Sequence, residues 1–220
     1  RTVPIEIGSD YTEEKWKQEW MTLNAFCDEF ISGDIMKSGT AAVGYLAQHQ
    51  IFEQIPALSQ DILEPDYCIF SDLSADDNTL PFVRKNFWFG PAGTVSPLHF
   101  DRYHNILCQV LGSKSVLLVA PSSSSQAGCG VGGGKGSGDH SSSAKSISRF
   151  EDLMYPNEPP LQNTSRVDLQ NEGWGSRFPK ARGMVCHEVH LRAGEALYLP
   201  PGWWHFVSAD EVSVSVSFWW

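Results

Sequence analysis

The feature that most constrains the fold of this chain is a run of strict alternation close to its C-terminal end. Between Val212 and Phe218 every second residue is a serine, and the residues between the serines are apolar. Successive side chains of a strand point to opposite faces, so this pattern predicts a β-strand with one buried face.

The same texture extends upstream to about Trp88. Short apolar segments are separated by Gly and Pro, which punctuate strands more often than helices. We expect strands within Phe87–Phe89, Val95–Phe100, Ile106–Leu111, Ser115–Ala120, Met184–Leu191, Ala196–Leu199, Trp204–Val207 and Val212–Trp220. Many short strands in series indicate a sandwich or a barrel.

The first 60 residues have a different pattern. Residues 1–7 alternate like a strand, and Asp10 or Thr12 could cap a helix that follows. That helix would place five apolar residues on one face, namely Trp16, Trp20, Leu23, Cys27 and Phe30. A second short helix is expected over Gln50–Leu58. The prediction is a mainly β chain, one domain over residues 1–220, with an N-terminal strand and helices (about 1–60) before a β-barrel or jelly roll (about 86–220).

Residues 122–148 interrupt the strand pattern with 10 Ser and 7 Gly. Such a composition cannot offset the entropy of ordering, so we expect a disordered insertion between two strands of one domain. A phosphate-binding loop is excluded there, because Gly132-Gly133-Gly134-Lys135 lacks the required glycine spacing and the flanking strand and helix.

Charge and cysteine content narrow the function classes. The net charge of −10 has the wrong sign for direct nucleic-acid binding and the right sign for a basic protein partner, although acidity also serves solubility. The sequence contains no run of 18 apolar residues, so no membrane-spanning helix is predicted. Five cysteines without a C-x-x-C pair favour a reducing compartment. The chain starts without Met and without a signal-peptide layout, so we expect a piece of a longer protein.

Two segments carry residues suited to chemistry. In the first, His99 and Asp101 are two residues apart on a predicted strand, so an imidazole and a carboxylate project to the same side. In the second, His205 directly follows a Pro-Gly turn between two strands. Other histidines lack such a setting. His187 and His190 are three apart on a predicted strand, face opposite sides and are interpreted as structural.

The spacings G-x5-H-x-D, from Gly93 to Asp101, and G-x5-P-x-G-x2-H, from Gly194 to His205, resemble the two metal-binding motifs of the cupin superfamily of double-stranded β-helices. The carboxylate of the first motif resembles the 2-oxoglutarate dioxygenase branch. The resemblance implies Fe(II) bound by His99, Asp101 and His205. Two His and one carboxylate occupy one face of the metal and leave three positions open, which suits a 2-oxo acid and dioxygen.

Lys114 is ambiguous when it is judged from the residues alone. A Lys on a barrel strand is either exposed to solvent or the buried partner of an anion, and its charge by itself favours the surface. A wider resemblance chooses between the two. Trp88-Phe89-Gly90-Pro91, the His99 motif, Asn105, Lys114, Tyr45-Leu46-Ala47-Gln48-His49 and the segment Ser215–Trp220 are together similar to Jumonji-C (JmjC) dioxygenases.

The JmjC resemblance implies roles for further residues. It implies 2-oxoglutarate bound by Tyr45, Ser96, Asn105 and Lys114, with Lys114 pairing with the distal carboxylate, and O2 as the second co-substrate. Trp88 and Trp219 match aromatic residues that line the family's pocket. Glu6 and Trp16 match positions that contact a substrate arginine. The chain departs from the family at Phe100, at Arg102-Tyr103 and in the long insertion. These departures remove none of the expected ligands, but they could alter substrate choice at the entrance of the barrel.

The resulting hypothesis is an Fe(II)- and 2-oxoglutarate-dependent protein dioxygenase. It would hydroxylate a protein side chain, with arginine favoured because Glu6 suits a guanidinium, or demethylate histone methyl-lysine. The expected partner is a basic protein or peptide, either a histone or another nuclear or ribosomal protein, in the nucleus or also in the cytoplasm. Two alternatives stay open: a cupin metalloenzyme that does not use 2-oxoglutarate, and a catalytically silent chromatin-binding module.

Overall fold

The computed structural model describes residues 1–12, 14–32, 43–69, 82–121, 163–170, 173–178, 181 and 186–220. The predicted insertion at 122–148 lies outside the described residues, so its disorder stays a prediction. Eleven strands run through the described part: β1 Thr2–Ile7, β2 Lys17–Thr22, β3 Gly44–His49, β4 Arg84–Gly90, β5 Val95–Phe100, β6 Asn105–Leu111, β7 Ser113–Val119, β8 Cys186–Arg192, β9 Ala196–Leu199, β10 Trp204–Ala209 and β11 Ser213–Trp219.

The strands form two antiparallel sheets. The larger has seven strands in the order β2-β1-β3-β4-β11-β6-β9, and the smaller has four in the order β5-β10-β7-β8. Sequence neighbours are often separated in these orders, as in a jelly roll, where the chain crosses between sheets. The predicted mainly β, double-stranded β-helix fold is confirmed. Of the predicted strands, Val95–Phe100 and Ala196–Leu199 have the predicted ends.

Short helices cover one face of the larger sheet. They are α1 Leu23–Phe26, a π-helical turn Cys27–Ile31, α2 Ile51–Gln54, and 3₁₀ helices at Pro56–Asp61 and Asp66–Ile69. A separate short helix, α3 Trp174–Arg177, comes later in the chain. Phe26, Ile51 and Phe52 pack in one core with Ile5 of β1 and Val216 of β11. No helix in the described ranges has both the length and the apolarity needed to cross a bilayer.

The helix predicted from Trp16 to Phe30 is wrong in its first half. Residues Lys17–Thr22 form β2, which pairs with β1 from Thr2 to Ile7. The helix begins only after Thr22, whose Oγ1 accepts a hydrogen bond from the Ala25 amide at 3.1 Å. Pairing with the preceding strand satisfies the backbone of this segment without a helix, so tertiary context overrides the helical spacing.

Two other details differ from expectation. Asp10 caps a turn instead of a helix, because its Oδ1 accepts from the Thr12 amide at 2.7 Å. The helix expected over Gln50–Leu58 is split at Ile55, which has an extended φ of −128°. The cause is Pro56, since the residue before a proline is disfavoured in helical conformation.

β11 is buried on both faces, where the sequence predicted one. Val216 and Phe218 face the helix-covered core, as the alternation requires. Ser213, Ser215 and Ser217 are 0% exposed and lie on the opposite face. That face lines the inside of the barrel, where Ser217 borders the cavity described below. Small hydroxyl side chains leave room there for a ligand.

Candidate active site

The metal-ligand candidates meet because β10 pairs with β5. His205 lies directly opposite His99 in the register, and Asp101 follows the last residue of β5. One ligand atom from each of the three side chains lies within 4.8 Å of the others. The two imidazole centroids are 4.2 Å apart. His187 and His190, on β8, are exposed and lie outside this cluster.

Backbone carbonyls fix the tautomers of both histidines. His99 Nδ1 donates to the Pro97 carbonyl at 2.7 Å, and His205 Nδ1 donates to the Trp203 carbonyl at 3.0 Å. The proton of each neutral ring is therefore on Nδ1, which leaves the Nε2 lone pair free to bind a metal. His205 Nε2 is 3.6 Å from Asp101 Oδ2.

Burial controls the protonation of this cluster. Burial and, to a smaller extent, His99 lower the pKa of His205 to about 3 against the opposing effect of the Trp203 backbone, so His205 is neutral and can act as a ligand at physiological pH. Burial also raises the pKa of Asp101, while His99 acts in the opposite direction. A metal cation would favour the ionised carboxylate. Two imidazole nitrogens and one carboxylate oxygen form the donor set preferred by non-haem iron(II).

A segment that the sequence analysis did not single out holds the end of β5. The Ser165 amide donates to the Leu98 carbonyl at 2.8 Å, and the Phe100 amide donates to the Asn163 carbonyl at 3.1 Å. The Asn163 side-chain amide also donates to the Phe100 carbonyl at 2.8 Å. These bonds flank His99 and fix the strand from which Asp101 follows.

A cavity opens beside the three ligand candidates. Every residue predicted to bind the co-substrate lines this cavity, and so do both predicted pocket tryptophans. Its walls are formed by Tyr45, Trp88, Ser96, His99, Asp101, Asn105, Leu107, Lys114, Leu199, His205, Val207, Ser217 and Trp219. The sequence analysis did not single out Leu107, Leu199, Val207 or Ser217, because nothing local distinguishes them from other strand residues.

Lys114 lies inside the barrel and is only 2% exposed. Its Nζ donates to the Tyr45 hydroxyl at 3.2 Å and lies 5.9 Å from the Trp88 ring centroid. No ion pair within the described ranges involves Lys114. Burial lowers its pKa to about 7. A buried cation without a carboxylate partner is costly, so this position is suited to an anionic ligand.

Two further polar atoms of the cavity wall lack partners. Asn105 Oδ1 and Trp219 Nε1 are buried and make no hydrogen bond within the described part of the chain. Buried polar atoms are nearly always paired in folded proteins. The Trp219 indole N–H and the Lys114 ammonium are donors and fit an anionic ligand such as a dicarboxylate, the predicted co-substrate, whereas Asn105 Oδ1 is an acceptor and needs a donor.

The pKa of Lys114 predicts a pH dependence of 2-oxoglutarate binding. A Lys whose pKa is lowered to about 7 is charged below that pH and neutral above it. We therefore expect the affinity to fall as pH rises above about 7, by up to about tenfold per pH unit. Above that pH, binding should take up a proton, which calorimetry of the metal-loaded protein in two buffers of different ionisation enthalpy measures. An affinity that is constant from about pH 6 to about pH 9 contradicts this prediction.

Glu6 lies next to the cavity instead of lining it. It pairs with Tyr45 across β1 and β3. Burial raises the pKa of Glu6 to about 7, and the indole N–H of Trp16 lowers it in part. That N–H is buried close to Glu6 and has no hydrogen-bond partner among the residues that the structure describes. The structure thus brings Glu6 and Trp16 together beside the cavity.

Tyr11, which the sequence analysis did not identify, is a neighbour of both Glu6 and the metal-ligand cluster. Its hydroxyl is hydrogen-bonded to Thr164 Oγ1 at 3.2 Å. Burial raises the pKa of Tyr11, and the charges of Asp10, Glu6 and Asp101 raise it further. Tyr11 is therefore close enough to interact electrostatically with both the Glu6 carboxylate and Asp101 of the metal-ligand cluster. No local motif marks it, because Thr164 is 153 residues away in sequence.

Comparisons with known proteins agree with this geometry. Residues 4–220 match the family model of the cupin-like domain. The chain is 38% identical to Jumonji C domain-containing protein 5 of Drosophila melanogaster, and 39% and 40% identical to lysine-specific demethylase 8 of Xenopus tropicalis and Danio rerio. Each alignment covers 100% of this chain, but only 47%, 41% and 45% of the respective relative. The chain thus spans less than half the length of these relatives.

Proposed function

This chain belongs to the cupin-like domain family, in its JmjC branch, and we propose that it is an Fe(II)- and 2-oxoglutarate-dependent hydroxylase of arginine side chains in a basic protein. One observation carries the proposal. Lys114, which is buried and has no ion-pair partner among the described residues, shares a cavity with the His99–Asp101–His205 cluster and with the unpartnered indole N–H of Trp219. A dicarboxylate that binds a metal at one end and a cation at the other would suit the metal-ligand cluster, the Lys114 ammonium and the Trp219 N–H.

The residues divide into a metal set and a co-substrate set. His99, Asp101 and His205 would hold the iron, and Lys114 would bind the distal carboxylate of 2-oxoglutarate. Tyr45, Ser96 and Asn105 would add hydrogen bonds along the co-substrate. When bound, iron(II) with 2-oxoglutarate and dioxygen supplies an oxidant that inserts one oxygen atom into a substrate C–H bond, with succinate and carbon dioxide as co-products.

The aromatic walls orient the reactants and exclude water. Trp88 is held in place, since its Nε1 donates to Ser217 Oγ at 3.0 Å. Trp219 is 8% exposed and is covered by the ring of Tyr103, which stacks on it at 5.8 Å between centroids. Rigid walls fix the position of the substrate carbon relative to the metal, which is the protein's main contribution to such a reaction.

Glu6 supports arginine as the substrate residue. It is a half-buried carboxylate with no cation paired to it among the described ion pairs. A guanidinium can form two parallel hydrogen bonds with a carboxylate, which an ammonium cannot do. Hydroxylation of an arginine carbon gives a stable alcohol, so the modification would persist on the substrate protein.

Lysine demethylation is the second candidate, and it is favoured by the names of the Xenopus and Danio relatives. Hydroxylation of an N-methyl group gives a hemiaminal that releases formaldehyde. The same site could support either outcome, because the geometry differs only in which carbon faces the metal. For both candidates we propose a basic protein as the partner, a histone or another nuclear or ribosomal protein, and a nuclear location, the cytoplasm being a second one.

Mass spectrometry of basic peptides after incubation with Fe(II), ascorbate, 2-oxoglutarate and air tests the proposal. Oxygen gain on an arginine supports hydroxylation, whereas methyl loss from a methyl-lysine peptide with formaldehyde release supports the second candidate. Succinate formation without either product in a broad peptide panel contradicts both. Turnover that does not need 2-oxoglutarate favours a cupin metalloenzyme of another kind, and absence of turnover favours a silent binding module.

Glu6→Gln provides a more specific test of arginine recognition. The substitution preserves shape and removes the charge, so we expect the KM for an arginine peptide to rise about 10- to 100-fold, since a hydrogen bond to a charged group contributes about 1.5–3 kcal/mol. Glu19→Gln is the matched control, because Glu19 is exposed and pairs with Lys17. An unchanged KM in Glu6→Gln would remove Glu6 from the site.

A further inference from the structure

Trp20 is an unusually exposed tryptophan on the outermost strand of the larger sheet. It lies on β2, an edge strand, and 68% of its surface is accessible. Tryptophans are highly buried on average, so one that is exposed on a sheet edge needs a reason. Exposed aromatic residues near a binding site are frequent contact residues.

The strand register places Trp20 on the same face as Glu6. In the β1–β2 pair, Trp20 is opposite Pro4 and Gln18 is opposite Glu6. Directly opposed residues of an antiparallel pair share a face, and residues two apart on a strand share it too. The other face of β1 carries Val3, Ile5 and Ile7, which belong to the core. Glu6, Gln18 and Trp20 therefore form one strip that begins beside the cavity and is half-buried at Glu6 and exposed at Gln18 and Trp20.

The spacing along this strip matches that of an extended peptide. Diagonal neighbours on an antiparallel pair, such as Glu6 and Trp20, have Cα atoms about 7–8 Å apart. In an extended peptide, side chains two residues apart on one face are separated by about 6.6–6.8 Å. A peptide whose target side chain reaches Glu6 can therefore place its second neighbour over Trp20.

We propose that Trp20 is a specificity-determining residue that binds a cationic side chain located two residues from the oxidised arginine. This inference rests on the proposed function and adds a sequence preference to it. Tryptophan is the strongest cation–π partner among the aromatic side chains. On this face β1 and β2 carry the Glu6 carboxylate and no basic side chain, and the chain has a net charge of −10. Both features favour a cation.

The test uses fluorescein-labelled peptides with one target arginine and either arginine or alanine two residues before or after it. We expect the metal-free protein to bind one of the two doubly basic peptides about 2- to 5-fold more tightly than its alanine counterpart, as an exposed cation–π contact allows. Trp20→Ala should abolish this preference in binding and in the KM of the iron-loaded protein, and Trp20→Phe should retain part of it.

Controls separate this inference from the proposed function. Tyr198→Ala removes an aromatic residue that is 49% exposed on the opposite edge strand, β9, and should leave the preference unchanged. The thermal midpoint of Trp20→Ala should match wild type, because the indole is exposed. Failure of the wild-type protein to oxidise any basic peptide contradicts the proposed function. A wild-type protein without the preference, or a Trp20→Ala protein that keeps it, overturns the role of Trp20 even if arginine is oxidised.

Discussion

Asp101→Ala is expected to reduce 2-oxoglutarate turnover by at least about 100-fold, because loss of outer-shell partners alone lowers metal affinity or activity by 10- to 100-fold. Two imidazoles alone bind iron(II) weakly and leave its charge less compensated. The fold should survive the substitution. Burial desolvates the Asp101 carboxylate and raises its pKa, so the ionised side chain costs free energy in the metal-free protein and its removal is tolerated. Metal titration, succinate assay and thermal unfolding measure the three quantities separately.

Asp210→Ala is the matched control for this experiment. Asp210 accepts a hydrogen bond from Ser115 in an exposed position and is not part of the metal-ligand cluster. Its removal should leave metal affinity and succinate formation near the wild-type values. If Asp101→Ala forms succinate at a rate close to wild type, the metal centre assigned to His99, Asp101 and His205 is wrong.

The strand pattern and the metal-ligand candidates could be predicted because their signals are local. The alternation at β11 and the Gly/Pro punctuation depend on short stretches of chain, and strand periodicity alone places His99 and Asp101 on one side. The H-x-D and P-x-G-x2-H spacings identified the two segments before any pairing was known. The structure adds the direct pairing of His99 with His205, which the sequence could not show.

The surroundings of these residues depend on long-range contacts, and they could not be predicted from the residues. Lys114 is preceded by Ser113 and followed by Ser115, so local polarity does not indicate which face of β7 closes onto the barrel. Its partners on the neighbouring strands of the smaller sheet, Leu191 and Ala209, come more than 70 residues later in the sequence. Here the family resemblance supplied what periodicity could not.

The misassigned helix shows the same limit at the substrate side. Trp16 and Trp20 are four apart, which fits one face of a helix, and they are also an even number apart, which fits one face of a strand. Only the partner decides, and β1 supplies it by pairing with β2. The strand changes how this segment is interpreted, because Trp20 is exposed on the same face as Glu6 instead of being buried in a helix contact.

Lys114→Ala separates the 2-oxoglutarate mechanism from a cupin that needs only a metal. If the ammonium pairs with the distal carboxylate inside the barrel, its removal leaves a buried charge without a partner, at a typical cost of about 3–5 kcal/mol. The concentration of 2-oxoglutarate needed for half-maximal turnover should then rise by at least about 100-fold. Metal affinity should change little, because Lys114 contacts Tyr45 and is not part of the metal-ligand cluster.

Lys114→Arg and Lys17→Ala complete the design. Arginine keeps the charge but replaces a point charge with a planar fork, which the space between Tyr45 and Trp88 does not match, so this variant should also bind 2-oxoglutarate poorly. Lys17 is exposed and paired with Glu19, so its removal should have no effect. Paired titrations of metal and 2-oxoglutarate on the three variants are decisive. Unchanged 2-oxoglutarate affinity in Lys114→Ala would mean that the cavity binds no dicarboxylate at Lys114, and the metal-only cupin would then be the better account of this site.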